Sequence, residues 1–194
     1  MEARKEENMK NRMTPEKFWD KFSQEFNKKF FDESLKSVKS WTDKTEWTSW
    51  MKDLLIHLGE QFGYYPDCEY WPKIDIGFFS NSGKYWSKWS FEVAIEHENA
   101  HWPAWKEELN KLMAINAGLK VLITYRFESY DDLIKKLNEF VEIYKSRKYH
   151  QESDSYLLIF APLDEIWDDE DFLAFSFDGE KIIDITDNKK TIHT

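Results

Sequence analysis

The chain has 194 residues and a mass of 23.5 kDa, room for one ordinary domain with a substantial core but not for two full catalytic domains. Aromatic residues make up 18% of it and hydrophobic residues 41%, which excludes a disordered chain despite 33% charged residues and a mean hydropathy of -0.73. Its one cysteine, Cys68, excludes an intrachain disulfide framework and a cysteine-based zinc ribbon, and no segment approaches the roughly 18 apolar residues of a membrane span. A soluble cytoplasmic protein with no membrane partner is expected.

The formal charge of -10 disfavours DNA as a partner until its distribution is considered. Residues 160–188 hold ten acids against Lys181 alone, so the rest of the chain carries 27 acids and 26 bases and is nearly neutral. A locally basic face is therefore compatible with the composition. The acidic stretch is a candidate to bind a protein partner or to compete with DNA for that face.

In chain order, Thr14-Pro15-Glu16 offers an N-cap and a proline at the first helical position, and Phe18, Phe22, Phe26 and Phe30 recur at spacing four, predicting an amphipathic helix with a phenylalanine core stripe. A second helix is predicted from about Thr42 or Asp43, carrying Trp47, Trp50, Met51, Leu54, Leu55 and Leu58, with Gly59 and Gly63 weakening or ending it. From Glu69 the period changes. Ile74, Ile76 and Phe78 alternate with Lys73, Asp75 and Gly77, and after an Asn81-Ser82-Gly83 turn Phe91, Val93 and Ile95 alternate with Glu92, Ala94, Glu96 and Glu98, which reads as a long hairpin.

Pro103 opens a predicted helix through Leu109, Leu112 and Met113, stopped by Gly118, and the run Leu119 to Phe127 predicts a central strand covered on both faces. Ser129 caps a further helix with Leu133, Leu137, Phe140, Val141 and Tyr144 on one stripe, and Tyr156 to Phe160 is a buried strand. Phe172 to Ile185, with Asp178-Gly179 between its halves, suits a closing hairpin at a sheet edge. The expected architecture is α/β, a mixed central sheet flanked by helices, in one domain over 1–194: a helical part at 1–63, an α/β core at 69–163 and an acidic hairpin and tail at 164–194.

The chemistry concentrates in Phe91 to Trp105, which supports two incompatible readings. His97-Glu98-Asn99-Ala100-His101 fits the His-Glu-x-x-His pattern of a zinc metallopeptidase, which needs both histidines on one helix face. Pro103 interrupts such a helix, and the residues before it alternate as a strand does. The other reading takes Asp75 on one strand with Glu96 and Glu98 on the other. Side chains two apart share a strand face, so the three carboxylates converge and call for a hard divalent cation, magnesium or manganese, to offset their repulsion. Glu92 shares that face four residues earlier, where an ion pair suits it better.

Ile74-Asp75-Ile76, then Ala94-Ile95-Glu96-His97-Glu98-Asn99, a helix, and Val121-Leu122-Ile123 resemble the PD-(D/E)XK, or restriction-endonuclease-like, superfamily over roughly residues 42–127. The resemblance implies a magnesium- or manganese-dependent endonuclease acting on DNA. It implies Asp75 and Glu96 as metal ligands, the backbone carbonyl of His97 completing the shell, Glu98 at the position usually held by lysine, and Glu46 on the second helix as an additional acid. The glutamate at that third position is similar to the ending found in certain type II restriction endonucleases. The same departure also suits a catalytically inactive relative that serves as a binding module. For nucleic-acid contact the loop from Ser80 to Trp89 offers Lys84, Trp86 and Lys88, with Tyr85 and Trp89 as further stacking surfaces; the aromatic residues of this loop suit core packing or homodimer contacts equally. Lys145, Arg147, Lys148 and His150 form a second basic cluster.

Overall fold

The computed structural model describes residues 12–31, 44–70, 74–80, 90–98, 104–125, 129–147, 155–161, 172–186 and 190–192. The phenylalanine stripe forms helix α1 (Pro15–Phe31), opened by Thr14, whose hydroxyl accepts from the Lys17 N–H at 3.3 Å. Helix α2 (Lys44–Gln61) follows, and then strand β1 (Tyr65–Tyr70). Strand β2 (Ile74–Phe79) pairs antiparallel with both β1 and β3 (Ser90–Glu98), giving a three-stranded meander. Helix α3 (Ala104–Ala114) crosses over to β4 (Asn116–Tyr125), and α4 (Tyr130–Ser146) crosses over to β5 (Tyr156–Ala161). Both crossovers join parallel neighbours, which is what an intervening helix permits.

Strands β6 (Leu173–Phe177), β7 (Ile182–Asp184) and β8 (Lys190–Ile192) continue antiparallel from β5. The eight strands therefore lie side by side in chain order in one mixed sheet. The β6–β7 turn is the Asp-Gly turn expected of it. Gly179 has φ 97°, open to glycine at little cost, and Asp178 Oδ1 accepts the N–H groups of Glu180 and Lys181 at 3.0 Å. Among the described residues no helix is long and apolar enough to cross a membrane.

Period-two alternation divides the sheet's side chains between two cores. On one face Ile76, Phe78, Val93, Ile95, Val121 and Ile123 pack beneath α1 and α2, through Phe18, Phe22, Phe26, Met51 and Leu54. On the other, Ala94, Leu122, Leu158, Phe160 and Phe175 pack beneath α3 and α4, through Trp105, Leu109, Leu112, Leu137 and Phe140. The continuous apolar run of β4 follows from this double cover. Helix α1 also reaches the C-terminal hairpin, where the Phe22 and Phe26 rings meet Phe172 at 6.0 and 4.7 Å and Trp19 Nε1 donates to the Thr186 carbonyl at 3.3 Å.

Three elements differ from the sequence reading. Strand β1 starts at Tyr65, ahead of the expected change of period at Glu69; Pro66 and Asp67 disguise it, and β1 can hold a proline because it is the sheet's edge. Gly118 does not stop α3. That helix ends at Ala114 and Gly118 lies inside β4, its carbonyl accepting from Arg12 Nη2 at 2.8 Å. The tail expected beyond the closing hairpin contributes β8. The Asn81-Ser82-Gly83 turn and Phe127 lie outside the described residues.

Gly77 pairs with Ala94 and lies two residues from Asp75, where the Phe91 ring covers it; an added Cβ would meet that ring at 2.6 Å. We expect Gly77→Ala to cost about 1–3 kcal/mol by overpacking. Chemical denaturation of G77A, F91L and the double variant checks this. The double should be more stable than the sum of the single losses requires, and simple additivity would contradict it.

Candidate active site

Asp75 is the second residue of β2 and Glu96 lies near the end of β3, so the antiparallel pairing brings both to the same end of the sheet. The register that pairs Gly77 with Ala94, carried two residues further, sets Asp75 opposite Glu96. Glu96 shares the α3 face with Ala94, and its parallel partner on β4, Leu122, belongs to the same apolar cluster. Its carboxyl group is fully buried; no protein N–H donates to either oxygen, and the Asp75 carboxyl is the side chain close enough to share a proton with it. Leaving such a group unpaired in an apolar setting is costly unless it stays protonated. Accordingly burial pushes the Glu96 carboxyl up to about 10, with the negative charges of Asp75 and Glu108 adding to the effect and Lys111 opposing it.

Asp75 is half-buried, and Asp75 Oδ2 accepts the His97 N–H at 2.9 Å, which ties its carboxylate to β3. The His97 side chain lies on the opposite face, its ring 6.4 Å from that of Trp47 on α2. Desolvation holds His97 down at about 3, so it stays neutral. Glu98 ends β3 opposite Thr124 and is half-buried. Among the described residues no three His, Cys, Asp or Glu side chains are already spaced to hold a metal ion.

Helix α3 adds two residues that the sequence reading passed over. Glu108 and Lys111 are ion-paired one turn apart, and the Lys111 ammonium stands 3.8 Å from Glu96 Oε1. Its carboxylate neighbours, Glu108 first and then Glu96 and Asp75, hold the Lys111 pKa above the usual lysine value against the opposing effect of burial. The available signal was the acid–base pair at spacing three on the helix after β3, and nothing in the text of the sequence aims that pair at Glu96.

The remaining expected residues fall elsewhere. Glu46 belongs to α2, the helix covering the opposite face, and its side chain lies outside those described. Lys84, Trp86 and Lys88, with Tyr85 and Trp89, lie outside the described residues, as do Lys148 and His150. Arg147 caps α4 and its guanidinium bonds Asn110 on α3, a contact that joins two helices. The helix required by a His-Glu-x-x-His zinc site is not formed at its first two positions, because His97 and Glu98 belong to β3; His101 is outside the described residues.

Comparison with family models, with curated proteins and with solved structures finds no match for the chain. What the site can do is therefore read from its own geometry.

Glu96 and His97 have opposite pH signatures. Glu96 has a raised native pKa, so its burial costs nothing below the unfolded value of 4.5 and costs progressively more as pH rises towards 10. His97 has a lowered one, so its burial costs more as pH falls from 6.5 towards 3. In chelator-treated protein, Glu96→Gln should be more stable than wild type by roughly 1–3 kcal/mol at neutral pH, the gap widening from pH 5 to pH 8. Urea denaturation across that range measures it, and a gap that closes with rising pH would contradict the burial argument.

Proposed function

We propose that the chain is a divalent-metal-dependent nuclease that hydrolyses phosphodiester bonds in DNA, with Asp75 and Glu96 at its centre and an architecture of the restriction-endonuclease-like kind. One observation carries this reading: a wholly buried carboxyl group with no N–H donor to either oxygen, set opposite a second carboxyl group at the end of neighbouring strands. The order helix α2, hairpin β2–β3, crossover α3 and parallel strand β4 supports this reading, since the resemblance implies a helix, a hairpin, a helix and a strand.

An oxygen-only donor set suits magnesium or manganese better than a softer ion. Asp75, Glu96 and the His97 carbonyl would hold the ion, which when bound supplies positive charge to the phosphate and lowers the pKa of water. The protein's own contributions follow from the positions just described. The His97 N–H fixes the orientation of Asp75, and Glu96 offers two oxygens that no protein N–H occupies. Glu98, half-buried at the strand end, orients the attacking water and accepts its proton. The water oxygen bonds to phosphorus, one ester phosphorus–oxygen bond breaks with its electron pair leaving on the ester oxygen, and that oxygen takes a proton from solvent. Lys84, Trp86 and Lys88 are assigned to contact the nucleic acid.

Purified protein with magnesium or manganese should nick or linearise plasmid DNA, and single-stranded DNA and RNA in the same assay define the substrate. Asp75→Asn should abolish cleavage, and Glu98→Gln should slow it on the order of 100-fold. Because E96Q is expected to be the more stable protein, its loss of cleavage cannot be put down to unfolding. Wild-type rates in D75N would overturn the assignment. The replacement of the usual lysine by Glu98 favours a second reading, an inactive scaffold that binds a partner; manganese binding or partner capture without cleavage of any nucleic acid selects it.

A further inference from the structure

Lys111 and Glu108 belong to α3, which packs over the end of the sheet that carries Asp75 and Glu96. The Lys111 side chain keeps 33% of its surface exposed and Glu108 15%, against 0% for Glu96. One ammonium thus sits at the solvent side of the site, paired to Glu108 and 3.8 Å from the Glu96 carboxyl.

A tethered ammonium fills such a site poorly. Its stem is anchored to α3, it is ion-paired to Glu108, and at 3.8 Å from Glu96 it donates a hydrogen bond to neither of that residue's oxygens. A free divalent ion has no tether and takes carboxylate oxygens at roughly 2.0–2.6 Å. We propose that the Lys111 ammonium stands where the divalent cation binds, and that Glu108 is the third carboxylate ligand of that site beside Asp75 and Glu96. The inference rests on the metal-dependent reading above and sharpens it. The ion reaches Glu96 from the side where Lys111 is exposed, Lys111 swings outward still protonated, and Glu98 is not among the ligands. The described residues hold no three such side chains at ligand spacing, so on this proposal Asp75, Glu96 and Glu108 close in around the ion as the ammonium leaves.

Titration of the full chain with manganese(II) at neutral pH, read by calorimetry and by the electron paramagnetic resonance of the free ion, tests this without reference to activity. Lys111→Met removes the competing charge and should tighten binding by about tenfold or more, whereas Lys111→Arg keeps the charge and should stay within about twofold of wild type. Glu108→Gln should weaken binding by about tenfold or more, and Glu98→Gln should change it by less than about twofold. The double variant E108Q/K111M should remain weaker than K111M alone, because losing a ligand is distinct from freeing the lysine. Circular dichroism and thermal melts of each variant establish that it is folded; Glu108 and Lys111 both reach solvent, so folded variants are expected.

Unchanged affinity in K111M, tightening by K111R, or equality of the double variant with K111M would each overturn the proposal. If E108Q keeps wild-type affinity while D75N loses cleavage, this inference falls and the nuclease reading stands. If wild-type protein takes up no manganese, both fall together.

Discussion

The placement of Glu96 is the constraint on which the rest of the arrangement depends. A carboxyl group in the middle of an apolar face has three ways to exist: protonated, paired, or ligating a cation. The fold supplies no N–H donor to either oxygen, sets a second carboxyl group opposite, and brings one ammonium to 3.8 Å. Such a buried carboxyl group is tolerated because two large apolar layers, one on each side of the sheet, stabilise the strand that carries it.

The surroundings divide by face. Beneath α1 and α2 the sheet is apolar around β3, with Val93 and Ile95 buried and His97 held neutral beside Trp47. Beneath α3 the same strand presents Ala94 and then Glu96, and the helix replies with Leu109 and Leu112 deep and Glu108 and Lys111 nearer solvent. Alternation along one strand thus separates a neutral imidazole from a buried carboxyl group one residue away. The backbone joins the two halves, since the His97 N–H is the donor that positions Asp75.

Much of this was legible in the residues. Phenylalanines at spacing four gave α1, Ser129 marked the start of α4, and Asp178-Gly179 marked a hairpin. The alternation of β2 and β3 placed Asp75 and Glu96 on one face before any pairing was known. Other signals misled or were silent. Pro66 hid β1, since a proline argues against a strand unless the strand is an edge, and edge status belongs to the sheet as a whole. Gly118 looked like a helix stop, yet it lies in a strand whose backbone packs closely, with the Glu92 carbonyl 2.8 Å from where a Cβ would stand. The His-Glu-x-x-His pattern carries no conformation of its own, and the flanking alternation decided that His97 and Glu98 are extended.

By itself, then, the sequence determined the periodicities: which segments wind as helices, which extend as strands, and that Asp75 and Glu96 face the same way. Those are local properties, set by side-chain spacing along one element. Only the tertiary structure decided that Glu96 is buried with no N–H donor to its oxygens and that Glu108 and Lys111, twelve and fifteen residues further on, bear upon it. The docking of α3 on the sheet fixes both, and docking depends on how two whole apolar surfaces fit together, which no spacing within either element encodes.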